Sequence, residues 1–204
     1  MGEMGLRERK KQRMYQDVSD IAVRLFLERG FDAVSVAEVA AEAGISKPTL
    51  FRYFPAKEDL VLHRIADHET EAARVVAGAA DPVGALRRHF LAGLAGRDPV
   101  TGLNDHPEVL AFHRLLYGTP SLAARAYAHQ ERSEAALAEA LGGDLDARLA
   151  AGQIIAVQRV LALENWRRIA AGEPVERVAP DAVRAAERAF GRLAEALSEL
   201  RSTR

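Results

Sequence analysis

The chain has 204 residues, 49% of them apolar, and a formal net charge of −1. That is enough apolar mass for a sizeable core, in one large domain or a small module fused to a larger one, and it excludes a general positive field that would attract nucleic acid. The absence of cysteine excludes disulfide frameworks, thiolate metal sites and cysteine nucleophiles, and suits a reducing cytosol. Apolar runs such as Ile154-Ile155-Ala156-Val157 stop far short of a membrane span, so the expectation is a soluble, cytoplasmic protein.

The sequence predicts an all-α chain of about nine helices. Apolar residues recur at steps of three and four, strand signals are nearly missing, and Gly and Pro punctuate the periodic segments. A basic run, Arg7, Arg9, Lys10, Lys11 and Arg13, reads as an N-terminal arm ahead of a helix over about 9–29. Met14, Val18, Ile21, Ala22, Leu25 and Phe26 form the apolar face of that helix, and Gly30 closes it. Short helices are expected over about 36–43 and 47–53, then one longer helix over about 56–77. Further helices are predicted near 83–95, 107–117, 120–141, 146–171 and 181–201. Asp81-Pro82 precedes the first of these, Thr119-Pro120 opens the third, Gly172 closes the fourth and Pro180 opens the last; residues 96–106 read as a loop.

The segment from Ser35 to Tyr53 carries the most information. Ser35 and Glu38 make a capping box. Val36, Val39, Ala40 and Ala43 form the buried stripe of a two-turn helix, and Gly44 supplies the left-handed residue of a sharp turn. Ile45 fills the angle, Ser46 caps the next helix, Pro48 is tolerated in its first turn, and Leu50 and Tyr53 face back inward. A small residue at the helix crossing and a glycine in the turn, at this spacing, predict a helix-turn-helix.

From Gly30-Phe31 through Ser35-Val36, Val39-Ala40, Ala43-Gly44-Ile45-Ser46, Thr49-Leu50-Phe51-Arg52-Tyr53-Phe54 and Lys57-Glu58-Asp59-Leu60, the sequence resembles the TetR/AcrR family of repressors. The resemblance covers about the first 65 residues. It implies a homodimer that binds a palindromic double-stranded operator and is released by a small-molecule inducer. Carried over by position, Lys47, Pro48, Thr49 and Phe51 would meet base edges or a thymine methyl group. Arg52, Tyr53 and Lys57 would hold phosphates, with Ser35 and Ser46 near the backbone at helix N-termini. Phe51 departs from the family, which usually has Tyr there, and so offers apolar contact only.

On this reading residues 1–55 form the DNA-binding domain with its basic arm, and 56–204 a helical ligand-binding and dimerisation domain. In the last helix Val183, Ala186, Phe190, Leu193, Leu197 and Leu200 alternate three and four apart, the seam of helices packed at a shallow angle. That stripe suits a dimer interface and equally a cover for the chain's own core. The helix before it is apolar on more than one face and is expected to be buried on several sides. His63, Asp67, Phe90, Phe112, His113, Tyr117, Tyr127 and Trp166 are candidate inducer contacts, since pockets combine apolar walls with a few polar groups; the same residues suit ordinary helix surfaces.

No metal site, cofactor or catalytic constellation is read from the sequence: it lacks a nucleophile elbow, a phosphate-binding glycine loop and the zinc- and carboxylate-ligand motifs of helical enzymes. The readings left beside a regulator are an all-helical enzyme, and a protein-interaction module with a non-functional helix-turn-helix.

Overall fold

The structure, a computed structural model, describes residues 6–66 and 68–202. Among them lie ten α-helices, one short 3-10 turn and no strand. The chain packs as two compact units: one combines residues up to 67 with 111–128, the other 68–110 with 129–204.

In the first unit, α1 (Leu6–Arg29) packs against α2 (Val36–Glu42) and α4 (Asp59–Ala66), and α2 in turn packs on α3 (Lys47–Tyr53). Val18, Ala22, Val23 and Phe26 of α1 meet Val39, Ala40, Leu50, Phe54 and Leu60 in a core from which solvent is excluded. Ser19, completely buried, donates its hydroxyl to the Leu60 carbonyl at 2.7 Å and so fixes α4 on α1. The same core takes in Phe112 and Leu116 from α7 (Pro107–Gly118), and Leu122 and Ala126 from α8 (Pro120–Ala140). The basic run at the start of the chain is not an extended arm from residue 6 onward, because α1 already begins there.

In the second unit, α10 (Val175–Ser202) packs on both α6 (Pro82–Ala95) and α9 (Leu145–Ala170), around Leu86, Phe90, Leu94, Ile154, Ile155 and Phe190. The expected loop over 96–106 contains a 3-10 turn, Pro99–Thr101, seated on α9. Asn165, buried, donates to the Thr101 carbonyl at 2.9 Å. Gly102, at φ +71°, approaches so closely that a Cβ there would lie 1.9 Å from the Ala162 carbonyl oxygen.

Two boundaries differ from the sequence reading. The helix expected over 56–77 is two: α4 stops at Ala66, and after a turn at 68–70 α5 (Glu71–Val76) begins. No Gly or Pro marks the break; side-chain contacts made by His68, Glu69 and Glu71 occupy that turn instead. The last helix begins at Val175, placing Pro180 inside it. Burial of Val175 and Val178 pins the extra turn, and Arg168 clamps it by bonding Glu173 at 2.7 Å and Asp181 at 3.0 Å. The proline ring is exposed, on the side of the helix turned away from the core.

Candidate nucleic-acid interface

The helix-turn-helix forms through the contacts its spacing predicts. The Ser35 hydroxyl accepts from the Glu38 N–H at 3.2 Å, while the Glu38 carboxylate accepts from the Ser35 N–H at 2.8 Å. That backbone bond, with Arg29 at 2.7 Å and the Ser35 hydroxyl, holds the Glu38 carboxyl down at about 2. Gly44 takes φ +67°, and the Ile45 N–H reaches back to the Ala40 carbonyl at 2.9 Å, closing α2 and turning the chain. Ser46 then caps α3: its hydroxyl accepts from the Thr49 N–H at 3.2 Å and shares a hydrogen bond with the Thr49 hydroxyl at 2.8 Å. Leu50 is completely buried behind α3.

With Leu50 inward, α3 turns Lys47, Pro48, Phe51 and Arg52 to solvent, with Thr49 partly exposed. Phe51 is 40% exposed, and the Lys47 ammonium lies 5.8 Å from its centroid. The Arg52 guanidinium lies 5.0 Å from the Tyr53 ring and donates to its hydroxyl at 3.3 Å. Ser35 and Ser46 are exposed at the N-termini of their helices.

Lys57 is placed differently from the other candidates. It is partly buried, donates to the Phe31 carbonyl and sits 4.3 Å from the Phe31 ring centroid and 5.3 Å from that of Phe26. Its ammonium therefore has a structural partner within the fold, whatever else it meets.

Tyr15 of α1 is a member of this surface that sequence reasoning passed over. Its ring meets Tyr53 edge-on at 5.1 Å and Phe54 at 5.2 Å, stacks on His63 at 5.2 Å, and lies 6.0 Å beneath the Lys11 ammonium. Lys11, Tyr15, Tyr53 and Arg52 thus run as one basic and aromatic ridge from α1 to the end of α3. An open groove of about 590 Å³ lies beside it, lined by Arg9, Lys11 and Arg13 together with Tyr15 and His63. The signal was in the sequence: Tyr15 lies one position beyond the apolar Met14, within reach of the basic run.

The candidate inducer residues are divided between the two units. His63, Phe112, His113, Tyr117 and Tyr127 lie in the first, and Phe90 and Trp166 in the second. His63 belongs to the Tyr15 cluster. Phe112 is buried under the Arg64 guanidinium, and Phe90 packs on Phe190 with centroids 5.9 Å apart. Tyr117 and Tyr127 are exposed, and Trp166 is partly buried. Burial lowers the His113 imidazole to about 4, so it is neutral at physiological pH. Asp67 lies outside the described residues.

The candidate dimer stripe is largely spent within the protomer. Ala186, Phe190 and Leu193 are buried in the second unit's own core, and Val183 and Leu197 pack against it; the Leu200 side chain lies outside the described residues. On α9, by contrast, Leu145, Leu149 and Val160 are 61%, 48% and 55% exposed.

An all-helical chain with a capped helix-turn-helix, a solvent-facing second helix and basic residues around it is a helix-turn-helix regulator in class. Residues 19–63 match the N-terminal model of the bacterial regulatory proteins of the tetR family. The HTH-type transcriptional regulator TcmR of Streptomyces glaucescens is 33% identical over 150 residues, 70% of this chain and 66% of that protein. The mycofactocin biosynthesis regulator MftR of Mycobacterium tuberculosis is 43% identical over 49 residues, 24% of this chain and 25% of that one. The matched stretches thus cover just under two thirds of one relative's length and a quarter of the other's.

Two solved structures share the fold. NalD of Pseudomonas aeruginosa has a TM-score of 0.58 at 16% identity, over 88% of this chain and 96% of that one. A TetR-family regulator of Streptomyces coelicolor has a TM-score of 0.57 at 21% identity, over 94% and 99%. The chain belongs to the TetR family of transcriptional regulators.

Proposed function

We propose that the chain is a one-component repressor: a cytoplasmic homodimer that reads a palindromic operator with α3 and is released by a small molecule bound in its helical body. Residues 1–55 would carry DNA recognition, and 56–204 sensing and dimerisation; the regulator reading leaves no catalytic role to assign. No helix among the described residues is long and apolar enough to cross a membrane. The observation that carries the reading is the exposure of Lys47, Pro48, Phe51 and Arg52 on a helix whose other side is locked by Leu50. A helix held this rigidly can present its first turns to a major groove, with Lys47 able to read guanine and Phe51 a thymine methyl group. Arg52, Tyr53, Lys11 and the serine-capped helix starts suit phosphates, which fix register without reading sequence.

The dimer we propose uses α9 rather than the α10 stripe. Leu145, Leu149, Ala156, Val160 and Leu163 share one side of that helix at steps of four, seven, four and three, and none of them is buried. The opposite side, with Ala151, Ile154 and Ile155, is already in the core. A helix apolar on both sides requires a second partner, and a second copy gives the two-fold symmetry that a palindromic site demands.

Fluorescence anisotropy on the DNA upstream of the protein's own reading frame, beside a scrambled duplex and at several salt concentrations, tests the reading. Binding that prefers the upstream DNA and weakens steeply with salt supports it. Equal weak binding to both, followed by failure of a genome-wide fragment selection to enrich any sequence, would overturn it.

A further inference from the structure

Along the inward face of α1, Tyr15 precedes Ser19, Ala22 and Phe26 at steps of four, three and four, so its ring continues that face one turn beyond the buried core. The ring stacks on His63 of α4 at 5.2 Å and meets Tyr53 and Phe54 edge-on at 5.1 and 5.2 Å. Lys11, one turn earlier, lies 6.0 Å from its centroid, and on the far side of Tyr53 stands the Arg52 guanidinium. Tyr15 therefore ties the outer turns of α1 to the exposed end of α3.

The cations of α1 are of two kinds. Near its end, Arg24 pairs with Glu42 and Arg29 with Glu38, both at 2.7 Å. Near its start, Arg9, Lys11 and Arg13 are exposed, and among the described residues none of them makes an ion pair. They line the open groove of about 590 Å³, in which Asp17 is the one acidic side chain. Asp20 is already taken by Arg64 at 2.6 Å and by Gln16 at 2.9 Å. Arg9 and Arg13 stand four residues apart, a spacing at which like charges destabilise a helix; a bound anion reverses the sign of that contribution. The shape of the site selects the anion. A small ligand is held by polar groups that converge inside a concave pocket. Here the charges follow a line, with the two arginines about 6 Å apart along the helix axis. One strand of a duplex presents a phosphate about every 3.4 Å of its axis, so two arginines at this spacing suit a stretch of backbone. The guanidinium fork also matches phosphate oxygens two at a time.

We propose that the outer turns of α1 hold the DNA strand flanking the bases read by α3, with Arg9 and Arg13 as phosphate contacts and Tyr15 as the residue that positions them. The proposal rests on the regulator reading above and deepens it. The operator that the protein holds is then longer than the sequence it reads, because the flank contributes affinity through its phosphates whatever its bases are.

Anisotropy with the full chain tests this on two duplexes carrying the selected operator. One is trimmed to the enriched bases; the other has about five further base pairs of arbitrary sequence at one end, half a duplex turn. Between about 50 and 200 mM salt, the wild-type protein should lose about tenfold more affinity on the extended duplex than on the trimmed one, the amount that two phosphate contacts contribute. Arg9→Ala combined with Arg13→Ala should remove that difference and keep the preference for the trimmed operator over random DNA. Tyr15→Phe should behave as the wild type, because Tyr15 makes its contacts through the ring, whereas Tyr15→Leu should lose the effect of the extension. Equal salt responses on the two duplexes in the wild type overturn the proposal, and so does a double variant that keeps the difference. Loss of the effect in Tyr15→Phe overturns the positioning role of the ring alone. If no sequence is enriched at all, the regulator reading fails and the strand contact is decided on random DNA. There the double variant should flatten the salt slope by about two per protomer, and an unchanged slope overturns the contact.

Discussion

The Lys57 ammonium donates to the carbonyl oxygen of Phe31 while lying 4.3 Å from the centroid of the same residue's ring. One lysine at the end of the helix-turn-helix thus holds both the main chain and the side chain of the residue that follows the close of α1. A charge-assisted hydrogen bond contributes about 1.5–3 kcal/mol and a cation–aromatic contact about 0.5–1 kcal/mol. Lys57→Met, which keeps the apolar stem, should therefore lower stability by about 2 kcal/mol in urea unfolding and weaken specific and random DNA binding alike. If stability is unchanged while the salt slope of DNA binding falls by about one ion, Lys57 is a phosphate contact and the fold does not depend on it.

Thr49 tests which part of a side chain reads DNA. Its hydroxyl is engaged with Ser46 at 2.8 Å, leaving the methyl group as the end available to a base. Thr49→Val keeps the methyl group and should hold operator affinity within about threefold, while Thr49→Ala should lose about 1 kcal/mol of preference over random DNA. The Ser46 cap survives both changes, because it bonds the Thr49 N–H. Equal losses for Val and Ala would return the role to the hydroxyl.

Local chemistry made the recognition module legible. The capping box at Ser35, the left-handed Gly44 and the cap at Ser46 depend on neighbours within a few residues, and each forms as the spacing demands. What depends on distant partners was not legible. The break between α4 and α5 follows from His89, His129 and Arg132, which lie 18 to 63 positions away from their carboxylates, and no local breaker announces it. Pro180 looked like a helix start because a proline suits the first turn. Burial of Val175 and Val178, invisible to a local rule, carries the helix past it. The apolar stripe of α10 was correctly seen as buried on something. Periodicity cannot say whether that is the chain's own core or a second copy; within the single chain Phe190 packs on Phe90.

That distinction separates two classes of variant. Phe190→Ala empties a completely packed site and should cost about 3–5 kcal/mol, seen as an unfolding transition shifted whatever the protein concentration. Leu149→Glu paired with Val160→Arg alters residues that are half-exposed in the single chain, so the monomer should fold with its helical spectrum intact. Sedimentation at micromolar concentration should then show a monomer where the wild type is a dimer, with operator binding lost in proportion. A dimer that survives both charges would move the interface off α9.

His113 gives the chain an acid sensitivity of defined sign. Burial lowers its imidazole from 6.5 to about 4, so between those values the unfolded chain binds a proton that the folded chain refuses. Stability therefore rises with pH through this window and is lost as pH falls from about 6.5 towards 4, by up to about 3 kcal/mol in all. Glu69 and Glu71, held below the carboxylate range, lose their contribution only further into acid, as pH falls through their own lowered values. His113→Phe keeps an aromatic ring beside Phe112 and Tyr117, whose centroids lie 6.1 and 6.0 Å away, and removes the titrating group. Urea midpoints measured from pH 7 down to pH 4.5 should fall steeply for the wild type and gently for the variant. Parallel profiles would mean that the imidazole accepts its proton in the folded state, and that the space around it opens to water more readily than its burial implies.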